Sequence, residues 1–289
     1  GTLAMAQATA YSTNTYFMTI EERTGLCRPA EIAESMGVTL GNGEPLLRVP
    51  SFTRGTMEVT PLAMANAYAT FAAHGIHCDP VVILDIRDRD GTPLPVPSGN
   101  CSRVIKREVA DNVTYMLNGV VNGGIPGRTG QSMALDKRQV AGKTGTTNDS
   151  AAVWFAGYTP QLAAAVWVGD PRGGYAHPMK AVTIAGTYYA QVFGGTLPGP
   201  IWRDAMEAAL VGTERQDFDS KRKFGFTTAG PNDYVYVPPT VTESDEPEPP
   251  TFDNSDPATT ADPAAPADPA PVDPAPADPA AATGAPASG

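Results

Sequence analysis

The 289 residues include only three cysteines and three histidines. Neither His-Glu-x-x-His nor any Cys/His set with metal-ligand spacing occurs, so a metal centre has no sequence support. His74, His77 and His177 read instead as structural or exposed residues. No apolar run approaches the roughly 18 residues of a membrane span. No basic-then-apolar leader opens the chain, and no GxxxxGK[ST] phosphate cradle appears. The chain starts at Gly1 within a helix-like stretch (Leu3, Ala4, Met5, Ala6, Ala8), which leads us to expect a fragment whose natural N-terminal part is missing. Basic residues are also scarce, 20 against 31 acids for a net charge of −11, which argues against a nucleic-acid groove.

The shortage of positive charge is local. Residues 241–289 hold ten acids, twelve of the 29 prolines, no Lys or Arg, and Phe252 as their only aromatic residue. Such a segment cannot bury enough apolar surface to offset its ordering entropy. Asp262-Pro263, Asp268-Pro269, Asp273-Pro274 and Asp278-Pro279 recur along it, as in an extended, disordered, polyproline-like spacer. The sequence therefore divides into a body at 1–212, an extension at 213–240 and an acidic tail at 241–289, and the body is close to neutral.

Within the body, Thr60-Pro61 opens an Ala-rich run that closes at His74-Gly75. Thr as N-cap, Pro at the first helical position and Gly just past the end are helix punctuation. A hairpin is expected from Val81–Arg87 and Thr92–Val96 about Asp90-Gly91. Pairing about that turn brings Cys78 and Cys101 within a couple of residues of facing each other, close to disulfide reach. A bond and two unpaired thiols both stay open at this point, with Cys27 left over. Arg103–Val121 is expected to be a helix with Val109, Val113, Met116, Leu117 and Val120 on its core face. A glycine-rich loop follows, then a strand at Gln139–Thr146 and an antiparallel hairpin from Ala151–Tyr158 and Leu162–Gly169. Pro198–Val211 reads as a helix on that sheet. Helices, an antiparallel sheet and a closing helix define an α+β domain.

The chemistry-bearing strings are Ser12-Thr13-Asn14 after a helical stretch, and Lys143-Thr144-Gly145-Thr146 at the end of a strand. Taken alone, the first is more often a helix cap or polar turn and the second an exposed strand end. Their context changes that. The segments Ser12–Phe17, Val49–Thr53, Glu58–Leu62 with Ala67–Ala72, and Val153–Pro160 together resemble the transpeptidase domain of bifunctional (class A) penicillin-binding proteins, most of all those of actinobacteria, across residues 1–212.

The resemblance implies the penicillin-binding transpeptidase and serine β-lactamase-like fold, truncated at its N-terminus, and no cofactor. It also implies peptidoglycan stem peptides as substrates, with a D-Ala-D-Ala donor and an amine acceptor, and β-lactams as inhibitors. Acyl transfer needs an activated serine, an oxyanion hole and donors for the terminal carboxylate. By resemblance, Ser12 would relay a proton to the leaving amine, and Asn14 would donate to the substrate's peptide carbonyl. Lys143 would place positive charge beside Ser12, and Thr144 and Thr146 would meet the carboxylate. The Thr146 N–H would form half the oxyanion hole, and Gly145 would let substrate lie against the strand.

The family nucleophile belongs to a Ser-x-x-Lys string placed before Ser-x-Asn. Only eleven residues precede Ser12, none of them serine, and the one such string, Ser220–Lys223, lies in the wrong order within a charged segment. The expectation is a chain that cannot acylate alone. The glycosyltransferase domain, the membrane anchor and the strands covering one sheet edge would lie upstream, on a protein working outside the plasma membrane. A D,D-carboxypeptidase or β-lactamase-like hydrolase, and a non-catalytic wall-binding module, are the competing readings.

Overall fold

The computed structural model describes residues 3–219; Ser220–Lys223 and the acidic tail lie outside the described residues. The chain separates into two units, residues 1–235 and 236–289, and the second lies wholly outside the described residues. Three helices come first, α1 (Met5–Tyr11), α2 (Asn14–Thr24) and α3 (Cys27–Ser35), followed by α4 (Pro61–Ala72). Two short ladders follow. β1 (Ile76–His77) pairs with β4 (Ser102–Arg103), and between them β2 (Ile86–Arg87) pairs with β3 (Pro93–Leu94). Next come α5 (Arg107–Val121) and the strands β5 (Ala141–Thr146), β6 (Ala152–Tyr158) and β7 (Ala163–Gly169), then β8 (Lys180–Ile184), β9 (Thr187–Gln191) and α6 (Pro198–Ala209).

The capping of α4 is as its sequence dictates: Thr60 Oγ1 accepts the Ala63 N–H at 3.1 Å. Such a bond contributes about 1 kcal/mol. At the far end Gly75 has φ +86°, and a Cβ there would collide with the Ile105 carbonyl, so glycine is required where the chain turns back toward α5. The β1–β4 register sets Ile76 opposite Arg103 and His77 opposite Ser102. Its continuation brings Cys78 to Cys101, and their sulfurs are bonded.

β5, β6 and β7 form an antiparallel sheet in that order, with Lys143 opposite Ala156, Gly145 opposite Trp154, and Trp154 opposite Trp167. Because side chains alternate, the sheet presents two unlike faces. On one, Phe155 packs edge-on against Trp202 of α6 at 4.9 Å between ring centroids, with Met133, Val140, Val120 and Val121 completing the core. The Trp202 indole donates to the Ala164 carbonyl at 3.0 Å, so its one polar atom is satisfied. The other face turns toward α4, where Tyr158 lies against Tyr68 and gives its buried hydroxyl a partner in Thr114 at 2.8 Å. β7 has only β6 beside it, and β5 has an open edge too, among the described residues.

Three sequence expectations need correction. Helix α5 begins at Arg107 rather than Arg103, because Ser102 and Arg103 are taken up by pairing with β1. Its buried face runs through Ala110, Thr114, Leu117, Val120 and Val121, and Val109 stands 47% exposed. The hairpin about Asp90-Gly91 shrinks to two residues per strand; Val82 and Leu84, meant for the longer strand, are exposed because none of the described residues covers that ladder.

The body also runs past residue 212. Arg138 donates to the carbonyls of Leu210 at 3.3 Å and Thr213 at 2.6 Å. The Phe218 N–H reaches Gln139 Oε1 at 3.0 Å while its ring lies 5.5 Å from that of Tyr158. The first residues of the extension are therefore packed on the domain.

Candidate active site

Ser12 caps the end of α1 in the left-handed region, φ 56° and ψ 47°. A non-glycine residue held there carries strain of order 1 kcal/mol or more. The backbone is kept in place by Ser12 N–H to Thr9 O at 3.2 Å and Thr13 N–H to Ala8 O at 2.9 Å. This sharp reversal starts α2 at Asn14 and brings the Ser12 hydroxyl against β5. The serine thus closes one helix while its side chain reaches Lys143 on β5.

Lys143 sits mid-strand on the α4-facing side of β5. Its Nζ donates to Ser12 Oγ at 2.7 Å and to the Thr144 carbonyl at 2.9 Å. No carboxylate pairs with it among the described residues. Desolvation lowers its pKa to about 8, so at neutral pH about one lysine in ten is in the base form.

Thr144 donates its hydroxyl to Thr129 Oγ1 at 2.9 Å, and Thr129 is tied by its N–H to the Ala10 carbonyl at 3.0 Å. The Thr146 hydroxyl accepts the Gly194 N–H at 3.0 Å and keeps its own proton to give. Of the two threonines expected to meet a carboxylate, Thr144 spends its hydroxyl proton on Thr129, and Thr146 uses its hydroxyl only as an acceptor. Gly145 lies against the loop at Gly194, where a Cβ on residue 194 would fall 2.7 Å from the Gly145 carbonyl oxygen.

Ser12, Asn14, Lys143, Thr144, Gly145 and Thr146 all line one cleft of about 490 Å³. Its floor is an apolar trough between β5 and α4 formed by Met36, Val38, Leu46, Met64, Tyr68 and Phe71. Burial within this wall raises the Tyr68 pKa to about 12, so its hydroxyl stays protonated. His77 bonds Thr70 and His74 bonds Asp111; none of the three histidines lines the cleft.

Sequence reasoning missed Thr129, which links α1 to β5 from within the glycine-rich loop. It also missed Glu21, a buried acid whose Oε1 accepts the Thr53 N–H at 3.2 Å and hydroxyl at 2.7 Å. Glu21 thereby clamps the short 3-10 turn Phe52–Arg54 onto α2 beside the cleft. A carboxylate in a polar helix and a threonine among glycines carry no local signal of such long-range bonds.

A strand lysine bonded to a serine at a helix end, with an amide and strand hydroxyls around one cleft, is an arrangement suited to serine acyl transfer. Residues 1–185 match the penicillin binding protein transpeptidase domain, and the chain belongs to that family. It is 30% identical to penicillin-binding protein 1A of Aquifex aeolicus over 81% of this chain and 30% of that protein. The same identity relates it to penicillin-binding protein 1A of Mycolicibacterium smegmatis over 87% of this chain and 33% of the relative. The chain thus spans about a third of the length of these curated relatives. Among solved structures, PonA1 of Mycobacterium tuberculosis in complex with penicillin V superposes with a TM-score of 0.65 at 28% identity, covering 81% of this chain and 62% of that one.

Proposed function

We propose that the chain forms one wall of a peptidoglycan D,D-transpeptidase site, and that the attacking serine is supplied from outside the 289 residues. The observation that carries this reading is the 2.7 Å bond from Lys143 to Ser12 across 131 positions of sequence. In the first half-reaction the serine oxygen bonds the penultimate D-Ala carbonyl carbon, the peptide C–N bond breaks, and D-alanine leaves with a proton relayed through Ser12. In the second, an acceptor amine, having shed one proton to solvent, bonds the same carbon; the ester C–O bond breaks and the amine's proton returns to the serine oxygen.

Lys143 places positive charge beside Ser12 and orients its hydroxyl. Asn14 donates to the donor peptide's carbonyl, and the Thr146 hydroxyl receives the terminal carboxylate. The Thr146 N–H supplies half of the oxyanion hole, and the open edge of β5 takes the substrate as an added strand. β-Lactams, one of which is bound in the PonA1 complex, would acylate the same serine. The apolar trough beneath Lys143 gives an element bearing that serine a place to pack. Work on the outer face of the plasma membrane suits the Cys78–Cys101 bond, since disulfides persist in oxidising compartments.

The test is covalent labelling by a fluorescent penicillin. The 289-residue chain should remain unlabelled, and the chain extended through the coding sequence upstream should label. In the extended enzyme Lys143→Ala should cut the labelling rate by about a hundredfold or more, the scale of losing one electrostatic catalytic contact. A label on the 289-residue chain, mapped to any of its serines, would overturn the external nucleophile. An extended enzyme that never labels would overturn the transpeptidase reading in favour of a wall-binding module.

A further inference from the structure

Beside the cleft, and continuous with it through Arg54 as well as Asn14, Thr146 and Trp154, lies a second cavity of about 650 Å³. One wall is aromatic: Trp154 and Trp167 stand directly opposite each other on β6 and β7, the latter 42% exposed. The charged groups lining it are Arg54, Glu58 and Asp170. Asp170 is already engaged, for Arg172 grips it with two guanidinium bonds at 3.0 and 2.7 Å and a backbone N–H at 2.9 Å.

Arg54 and Glu58 are not so engaged. The Arg54 guanidinium has only the neutral Asn148 amide oxygen, at 3.4 Å, and Glu58 has no side-chain partner among the described residues. The two do not pair with each other, so one cavity holds a cation and an anion that are both available. Their backbone is braced. The Glu21 carboxylate fixes the turn that ends at Arg54, and the Glu58 carbonyl accepts the Gly41 N–H at 2.8 Å. A ligand complementary to all three features carries a carboxylate for Arg54, an ammonium for Glu58 and hydrocarbon for the tryptophan faces.

We infer that this second cavity binds the zwitterionic amino-acid head of the acceptor peptide, its carboxylate on Arg54 and its ammonium on Glu58, and so delivers the acceptor to the acyl-transfer cleft. The inference rests on the transpeptidase reading for the word acceptor; the binding itself does not need acylation. A simple alkylamine would leave Arg54 unanswered, and water needs neither charge, so the cavity favours a zwitterionic amine over both.

Three small molecules of matched carbon chain separate the terms, read by tryptophan fluorescence on the 289-residue chain: 2,6-diaminopimelate, cadaverine (the ammonium groups without the carboxylates) and pimelate (the reverse). The zwitterion should give a saturable change at concentrations about tenfold below those of the other two, a difference of about 1.4 kcal/mol. Arg54→Gln should weaken the zwitterion to the level of cadaverine, and Glu58→Gln to that of pimelate. Equal binding of all three, no saturable change with any, or variants that bind the zwitterion as well as the parent does would each overturn the site. Zwitterion binding on a protein that penicillin never labels, even when extended, would remove the enzymatic reading and leave the site; labelling without zwitterion binding would remove the site alone.

Discussion

The two faces of the β5–β6–β7 sheet obey different rules. The face under α6 is closed: Phe155, Trp202 and Met206 are almost wholly buried, and the indole N–H has its acceptor. The opposite face buries Ala156 and Tyr158 at one end but, toward the other, holds an unpaired lysine, a serine in a strained conformation and two tryptophans edging a cavity. The first is packed for stability and brings only Thr144 and Thr146 to the rim of the cleft; the second leaves polar groups and a cavity open, as the proposed chemistry requires. Perturbing the two faces should therefore produce opposite responses.

The largest response is expected on the closed face. Phe155→Ala removes the ring that Trp202 packs against and leaves a cavity that the surrounding sheet and helix cannot refill. A loss of about 3 to 5 kcal/mol should follow, read as a lower urea midpoint with an unchanged slope. A loss below about 1 kcal/mol would mean that this face is not the core.

Lys143 on the open face should do the reverse. Desolvation holds its pKa near 8, below that of an unfolded lysine, so between about pH 8 and 10.5 the unfolded chain binds more protons than the folded one. Folding stability should therefore climb with pH across that window, and below it the charged lysine costs the fold its full penalty. Lys143→Met removes the penalty. At pH 7 the variant should equal or exceed the parent by about 1 kcal/mol, the discount reflecting solvent screening of a partly exposed group. By pH 10.5 the gap should close. A variant less stable than the parent at pH 7, with no pH-dependent difference, would show that Lys143 supports the fold.

The closed face was also the more legible in sequence. Apolar runs rich in Val, Trp and Phe at Ala151–Tyr158 and Leu162–Gly169, and the punctuation of α4, report burial directly, and the structure has these elements nearly where they are expected. The open face was visible only through its motifs, Ser12-Thr13-Asn14 and Lys143–Thr146, which name the residues but not the backbone that unites them. Helix α2 escaped notice because its residues are mostly polar, and α3 because Pro29, tolerable in a first turn, reads as a breaker. The β8–β9 hairpin turns at Ala185-Gly186 with φ 49° and 80°, a geometry usually signalled by Asn-Gly or Asp-Gly. Val109 misled the placement of the α5 face because one valine in a helix specifies its side only as well as its neighbours agree.

The smallest expected effect separates strain from chemistry at one residue. Ser12 has φ 56°, a conformation that costs an L-residue energy and glycine almost none. Ser12→Gly and Ser12→Ala both delete the hydroxyl that Lys143 holds, so in the extended enzyme both should lose acylation to the same degree. Their stabilities should diverge: the glycine variant should be more stable than the alanine variant by about 1 kcal/mol, because only glycine relieves the left-handed backbone. If alanine proved equally stable, the turn between α1 and α2 would be unstrained. The hydroxyl's bond to Lys143 would then be the only demand that the site makes on this position.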